Sequence, residues 1–563
     1  MKWWQNKYNI TLIAILVIAF LLRWWNIPGS DIQNDAALNT LRSFGWFDFL
    51  TGEDQTSPIV WFGSIPWWGH LSFHDMPPLV QSIQFVFLNL FGSGSLSVLL
   101  PFILSGLVVT YLLYYLMSKV ANRQKALLTA GLFSITSYAV WASRTGYLEG
   151  VAVVFIVLSV TAWLFFLKSS KNKYLYYWAL VTGLALLSKY TALFLLLAVG
   201  LYIIIWRRDV LKNKHFWLSI IVMLLVLTPV IIYNIMVFKT RGHFDAALSS
   251  MLGMHPEDFA AIASRGANTN FLQNIGTIII VLYKSSSLAL FILYILSLFF
   301  VLIKVIKRQA GFVINFLFIN ILAIFLLFTF SGAPPRFLSI IVPFFSIITV
   351  LFIFQIWQWL NNKKIWKKSF IILLILVFVF EIFYSINTNI IKNPKGPEFV
   401  TYSGYRFYDR GFEELDNYLQ DEIIKDDLPT RIRTEKYNDM AEIKATVDWV
   451  VLFDERADWF SQAWYINKYL IYYRLPIFPI KYVNQVDMQG QSILEYFRNI
   501  GTKEVYFIYT TPAGDRSGQS QRYIDQMENL REYLDASAIT PTKEIKDYKG
   551  DVVFKIYHFY FNE

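Results

Sequence analysis

Apolar runs of about twenty residues recur between residues 9 and 390, and short basic clusters separate them. A run of that length crosses the hydrocarbon of a bilayer as a helix, so it constrains the fold more than any other feature. Hydrophobic residues make up 56% of the chain and charged residues 16%, which places it among polytopic α-helical membrane proteins. Spans are expected near 9–25, 96–117, 126–142, 150–167, 174–190, 191–206, 216–235, 277–303, 311–330, 337–359 and 369–390, eleven in all. The first has the basic flank and apolar core of a signal peptide but ends in Trp24-Trp25, so it reads as an uncleaved helix. PPLVQSIQFVFLNLFG, 77–92, opens on a Pro pair and ends in Gly, as an interfacial helix does.

Charge decides the orientation. With 77–92 on the surface and the N-terminus cytoplasmic, one side receives Lys2, Lys7, KVANRQK, KSSKNK, RRDVLKNK, KVIKR and KKIWKK. These hold 19 of the 29 Lys and Arg in residues 1–392 with a single acid, Asp209, as the positive-inside rule requires. If 77–92 crossed the membrane, every later basic cluster would move outside. The expected protein therefore sits in the plasma membrane with its N-terminus in and its C-terminus out.

Beyond Lys392 no spanning run remains. Residues 1–392 read as a transmembrane domain with long outer loops at 26–95 and 236–276, and 393–563 as an extracytoplasmic α/β domain. DWVVLF, KEVYFIYT and DVVFKIYHFYF read as its strands, RADWFSQAWYINKYLIYYR and SQRYIDQMENLREYLDA as its helices. The chain's net charge is +10, and its basic excess belongs wholly to the membrane domain, where the bases punctuate apolar runs; no basic face for nucleic acid results. Cysteine is absent, which excludes disulfides and thiolate metal sites.

The same topology puts Asp31, Asp35, Asp75, Glu149, Asp245, Glu257 and Asp258 outside and leaves Glu381 within a span. Asp35 stands in the first turn of an apparent helix, as a cap or as a working acid at the lipid boundary. Asp75, with His74, precedes Pro77-Pro78 and reads as an N-cap, a ligand or an acid. Arg144 and Glu149 in SRTGYLEG form either a structural pair or two functional charges. Lys189 interrupts an apolar run, either snorkelling to headgroups or binding an anion. Arg336 follows a Pro pair in FSGAPPRFL, and loop 236–276 adds Arg241, His243, His255 and Arg265, as a lid or substrate loop would.

A first-loop carboxylate, H-x-x-P-P-L, S-R plus an acid, G-L-A-x-L-x-K and P-R-F-L-x-x-x-x-P, in that order, resemble the GT-C glycosyltransferases, specifically the protein O-mannosyltransferase and aminoarabinose transferase superfamily. The resemblance covers about residues 10–350. It implies sugar transfer from a polyprenyl-phosphate carrier, with inversion, on the outer face. It makes Asp35 the first-loop catalytic acid, Asp75 the acid before the Pro pair and Glu149 the second-loop acid, with Lys189 and Arg336 at basic positions. Two positions depart: Ala36 stands where the family often has Glu, and Met76 where the aminoarabinose enzymes have Lys.

The expected function is thus an inverting transferase that moves a sugar to an acceptor hydroxyl on protein, lipid or glycan. Asp35 serves as base, and the candidate substrate-binding bases are Arg144, Lys189, Arg241, Arg265 and Arg336. The rival reading is a transporter or flippase of a polyprenyl-linked lipid or sugar, with the same charges as waypoints. A divalent metal is a further expectation. Asp75 with His255 would suit Zn or Mn, carboxylates alone Mg, and His255 otherwise caps a loop helix before Pro256.

Overall fold

The structure, a computed structural model, describes residues 7–27, 30–45, 66–73, 75–259, 271–332, 334–402, 404–425, 428, 448–480, 498–499, 501–516 and 518–560. They form two compact units. The first comprises residues up to Ile27, Trp67–Phe87 and Leu96–Arg406; the second draws on Pro28–Pro66, Leu88–Ser95 and Phe407–Glu563. The division expected at residue 392 is corrected at two places. Residues 393–406 pack with the helical unit, and the first-loop helix Asn34–Gly45 packs with the C-terminal residues.

In the first unit each expected apolar segment carries helix, and among the described residues seven helices are long and apolar enough to cross a membrane. The bent pair Lys214–Val226 and Thr228–Arg241 would make an eighth span. Leu225, Leu272, Phe330 and Ile365 leave two thirds or more of their surface uncovered, which is stable against lipid and unfavourable against water. The segment 77–92 forms a separate 13-residue helix, Leu79–Phe91, too short to cross.

Three expected single spans are each two helices. Residues 126–142 break at Thr136, whose ψ of 121° leaves the helical region. Residues 216–235 bend by 62° at Leu227, where Pro229 lacks the N–H that would continue the ladder. Residues 277–303 break at Ser285–Ser287, between Phe271–Lys284 and Leu288–Ile306. Each break frees backbone N–H groups that lipid cannot satisfy. Glu381 answers two breaks at once: its Oε1 accepts from the N–H of Ser137 at 2.7 Å and its Oε2 from that of Ser287 at 2.9 Å. The carboxylate lies at two helix N-termini, where the dipoles favour negative charge. Its isolated position in a span thus has a structural account.

The second unit is a five-stranded sheet in the order β2-β1-β3-β5-β4. The strands are β1 (Trp449–Phe453), β2 (Ile477–Pro479), β3 (Glu504–Thr510), β4 (Pro541–Lys546) and β5 (Val552–Tyr560). β1 runs parallel to β2 and β3, and β5 runs antiparallel to β3 and β4. All five residues of β1 are buried, so a continuous apolar run marks the centre of the sheet. Helix Gln521–Ala536 covers one face, with Tyr523 and Met527 against Val505, Phe507 and Tyr509. The helix expected over 456–474 is two, Trp459–Tyr465 and Asn467–Tyr473, separated at Ile466.

This unit also holds a buried acid pair. Burial raises the Asp31 carboxyl to about 7, assisted by Asp409 and opposed by the N–H groups of Arg410, Phe412 and Glu413. Burial, with the charge of Asp31 next, also raises Glu413 to about 7. Both folded values exceed the unfolded ones, so between about pH 4 and 7 the folded unit binds more protons than the unfolded chain. Stability from this pair is therefore present at low pH and lost as pH rises through 7. The unit is expected to unfold at lower temperature at pH 8 than at pH 5.5, with the difference reduced in Asp31→Asn/Glu413→Gln. A transition that rises with pH equally in both proteins would contradict this.

Candidate active site

In the helical unit, Phe73 and Ser72 close a turn on the carbonyl of Met76, donating at 3.2 Å each. Pro77 and Pro78 follow, pre-set for the start of helix Leu79–Phe91, so Asp75 is held on a rigid corner. Lys189 ends helix Lys173–Ser188 in an extended conformation, φ −168° and ψ 138°, before a short 3-10 turn at Tyr190–Leu193. That break turns its side chain away from the helix axis.

The Lys189 ammonium pairs with the carboxylate of Glu149 and lies 4.3 Å from the centre of the Phe337 ring. Glu149 is 1% exposed and opens helix Glu149–Ser169, where the dipole favours its charge. The Arg336 guanidinium lies over Tyr147 and Phe337, at 5.4 and 5.1 Å. Its neighbour Pro335 accepts a hydrogen bond from the Tyr138 hydroxyl. Two cations, one carboxylate and two rings thus converge from three segments, 147–149, 189 and 336–337.

Beside them opens a cavity of about 180 Å³. Asp75, Lys189, Tyr190 and Thr191 line its polar end, and Met76, Met251, Leu327 and Phe337 its apolar walls. A charged corner on an apolar chamber suits an amphiphile with an anionic head.

Sequence reasoning missed the support behind this wall. Asp245 accepts from the Tyr190 hydroxyl at 2.5 Å, from Asn234 Nδ2 at 2.8 Å and from the N–H of Leu248 at 2.8 Å. Burial pushes its carboxyl up, those three donors hold it back, and the charge of Asp75 raises it further. Asp245 also caps the helix Ala246–Met251, two of whose residues, Ala247 and Met251, line the cavity. A polar residue just before a short apolar turn was the available signal.

The remaining expected residues have other surroundings. Arg144 donates to the carbonyls of Leu22, Arg23, Trp25 and Asn26, at 2.8 to 3.3 Å, and so caps the C-terminus of the first helix. Glu149 pairs with Lys189, so the structural pair with Arg144, one of the two readings of SRTGYLEG, does not form. Arg241 forks onto Asp258, at 3.0 and 2.6 Å, and His243 meets the same carboxylate at 2.8 Å. Burial raises the Asp258 carboxyl, but these two partners outweigh it and hold it below the ordinary range. Arg241 thus secures the loop that walls the cavity and does not line it. Arg265 and His74 lie outside the described residues. In the second unit, Asp35 is half-buried and Asn34 exposed, whereas Ala36–Gly45 of the same helix are all buried.

Among the described residues the expected metal finds no donor set. His255 is exposed and does not line the cavity beside Asp75. Among the described residues no three His, Asp or Glu side chains gather as a metal site would require.

Residues 75–233 match the family model described as dolichyl-phosphate-mannose-protein mannosyltransferase, a stretch that starts at Asp75 and includes Glu149 and Lys189. The chain is similar to two proteins of Bacillus subtilis (strain 168), YycA and YkcB, whose names assign them provisionally as mannosyltransferases. Identity is 28% over 210 residues and 26% over 217, in each case 37% of this chain. The chain matches under a third of the length of these curated relatives, 29% and 28%. Its fold is similar to that of ArnT from Cupriavidus metallidurans, with a TM-score of 0.52 at 12% identity, over 98% of this chain and 97% of that one. The likeness is the same to ArnT bound to undecaprenyl phosphate. An Archaeoglobus fulgidus oligosaccharyltransferase, solved with Zn and sulfate, matches at a TM-score of 0.50 and 12% identity, over 88% of this chain and 67% of that one. The chain is a membrane protein whose fold is similar to that of ArnT and whose residues 75–233 match the dolichyl-phosphate-mannose-protein mannosyltransferase model.

Proposed function

We propose that the protein is an inverting glycosyltransferase that moves a sugar from a polyprenyl-phosphate carrier to an acceptor hydroxyl on the outer membrane face. The observation that carries this reading is the cavity at Lys189, where that ammonium and Asp75 stand beside the apolar side chains of Met76, Met251, Leu327 and Phe337, with Arg336 stacked on Phe337 behind them. Apolar walls suit a lipid tail and the Lys189 ammonium suits a phosphate. Likeness to a fold solved with undecaprenyl phosphate in one relative supports the same donor class here. Charge sorting supports an N-terminus inside and a C-terminal unit outside.

In the reaction, the acceptor oxygen attacks the anomeric carbon on the side opposite the phosphate. The bond from that carbon to the phosphate oxygen breaks, and its electron pair stays on the departing phosphate. The acceptor proton passes to a carboxylate, for which Asp35 is the assigned base. Lys189 and Arg336 stabilise the charge that develops on the phosphate, and this acts strongly where apolar walls exclude water. Glu149 holds the Lys189 ammonium in place, and Asp75 orients the sugar from the rigid corner.

The test is purification with native lipid, identification by mass spectrometry of any polyprenyl-phosphate sugar carried along, and its use in reconstituted vesicles. Mannose is the first sugar to try, since the matched family and both relatives are named for it. The expected result is release of polyprenyl phosphate together with a new glycoside. Movement of intact donor across the vesicle with no glycosidic bond formed would replace the transferase with a transporter.

A further inference from the structure

The first-loop helix Asn34–Gly45 is fastened at both ends within the second unit. At its start, Asp31 Oδ2 accepts from the N–H groups of Arg410 and Phe412, at 2.7 and 3.2 Å, and Oδ1 from that of Glu413 at 3.0 Å. The backbone on either side is tied as well: the N–H of Asp31 donates to the Tyr408 carbonyl at 3.3 Å, and the N–H of Ile32 to the Tyr465 hydroxyl at 2.9 Å. Gln33 donates through its side chain to the same Tyr408 carbonyl. At the other end, the Tyr472 hydroxyl donates to the Leu41 carbonyl at 2.6 Å. Phe44 meets Trp464 and Tyr472 edge-on, with ring centres 5.6 and 5.2 Å away. Any Cβ at Gly45 would collide with the Tyr472 ring.

Between the Asp31 clamp and the helix, Asn34 takes a left-handed conformation, φ +53°, which Asn tolerates better than most side chains. The turn leaves Asn34 and Asp35 as the two residues of the helix that are not buried. A carboxylate that accepts three backbone N–H groups from Arg410 to Glu413 does more than cap the short helix Phe412–Tyr418. It fixes the chain four residues before Asp35 to the C-terminal unit.

We propose that Asp31 is a positioning residue: through its grip on residues 410–413, the C-terminal α/β unit sets the place of Asp35. This rests on the assignment of Asp35 as the base, and it gives the C-terminal unit a part in the transfer reaction. Asn at position 31 would put an amide N–H₂ where one oxygen now accepts, so at least one backbone donor would lose its partner.

The test uses the full chain in nanodiscs, with Asp31→Asn examined by hydrogen exchange and by steady-state kinetics with the polyprenyl-phosphate sugar. Leaving a buried backbone donor without its partner is expected to speed amide exchange in residues 34–45 by about ten- to a hundredfold, with the spanning helices unchanged. The expected kinetic effect is a fall in kcat of about tenfold or more, with KM for the donor retained, because misplacing a catalytic group affects the chemical step. If Asp31→Asn does not accumulate, Asp31→Glu, which keeps both acceptor oxygens but displaces them by one methylene, is expected to give the same pattern with smaller amplitude. Unchanged exchange in residues 34–45, or a loss expressed only in donor KM, overturns the proposal. Full turnover in Asp35→Asn together with accelerated exchange in Asp31→Asn would overturn the assignment of the base and leave the grip of Asp31 on the helix standing.

Discussion

Asp35→Asn is expected to lower kcat by about a hundred- to ten-thousandfold while donor binding and the unfolding temperature stay close to wild type. Asn matches the shape of Asp but takes up no proton at neutral pH, so the acceptor hydroxyl keeps its proton as it attacks. Retention of stability follows from shape and exposure: Asn fills the same volume, and Asp35 is half-buried in a helix whose residues Ala36–Gly45 carry the packing. Turnover and binding are measured separately, by glycoside formation and by retention of the polyprenyl-phosphate sugar on the purified protein. Transfer within tenfold of wild type would remove Asp35 from the chemistry and make Asp75, the acid on the cavity, the next to replace.

Lys189→Met is expected to have two separable effects. It strands the Glu149 carboxylate, 1% exposed, without its ion partner, and breaking a buried pair in this way costs about 3–5 kcal/mol. It also removes a cation from the leaving phosphate, which costs about a hundred- to a thousandfold in turnover. The double variant Lys189→Met/Glu149→Gln separates them. Without a stranded charge its thermal stability is expected to recover most of the loss, whereas transfer stays as low as in the single variant. Recovery of both would make Lys189 a structural partner of Glu149 and nothing more.

Lys189 was legible because a charge in an apolar run costs too much to be incidental, and the Asp75 corner because a Pro pair announces a rigid start. Asp245 was harder to read. Its role depends on Tyr190 and Asn234, and only the folded chain brings those three together. The three broken spans were read as continuous because hydropathy registers apolar length and is blind to where a backbone ladder stops. Ser285–Ser287 are small enough to pass as helix, and the carboxylate that caps the break lies 94 residues away. The membership of Asn34–Gly45 in the C-terminal unit was beyond local periodicity for the same reason: Asp31 and its partner Arg410 are 379 residues apart.

That separation has a consequence in time. A ribosome adding about 5–20 residues per second takes roughly 20 to 80 seconds to go from Asp31 to Arg410, and most of the membrane-spanning helices are made in that interval. Throughout it the first-loop helix has been synthesised and its partners have not. A helix with an all-apolar surface would be a site for aggregation or for unwanted insertion during the wait. Asn34–Gly45 avoids both by composition: Asn39, Thr40, Arg42 and Ser43 are buried in the finished unit alongside Leu38, Leu41 and Phe44. Its polar residues suit the segment to contact with water until the chain that will enclose it arrives.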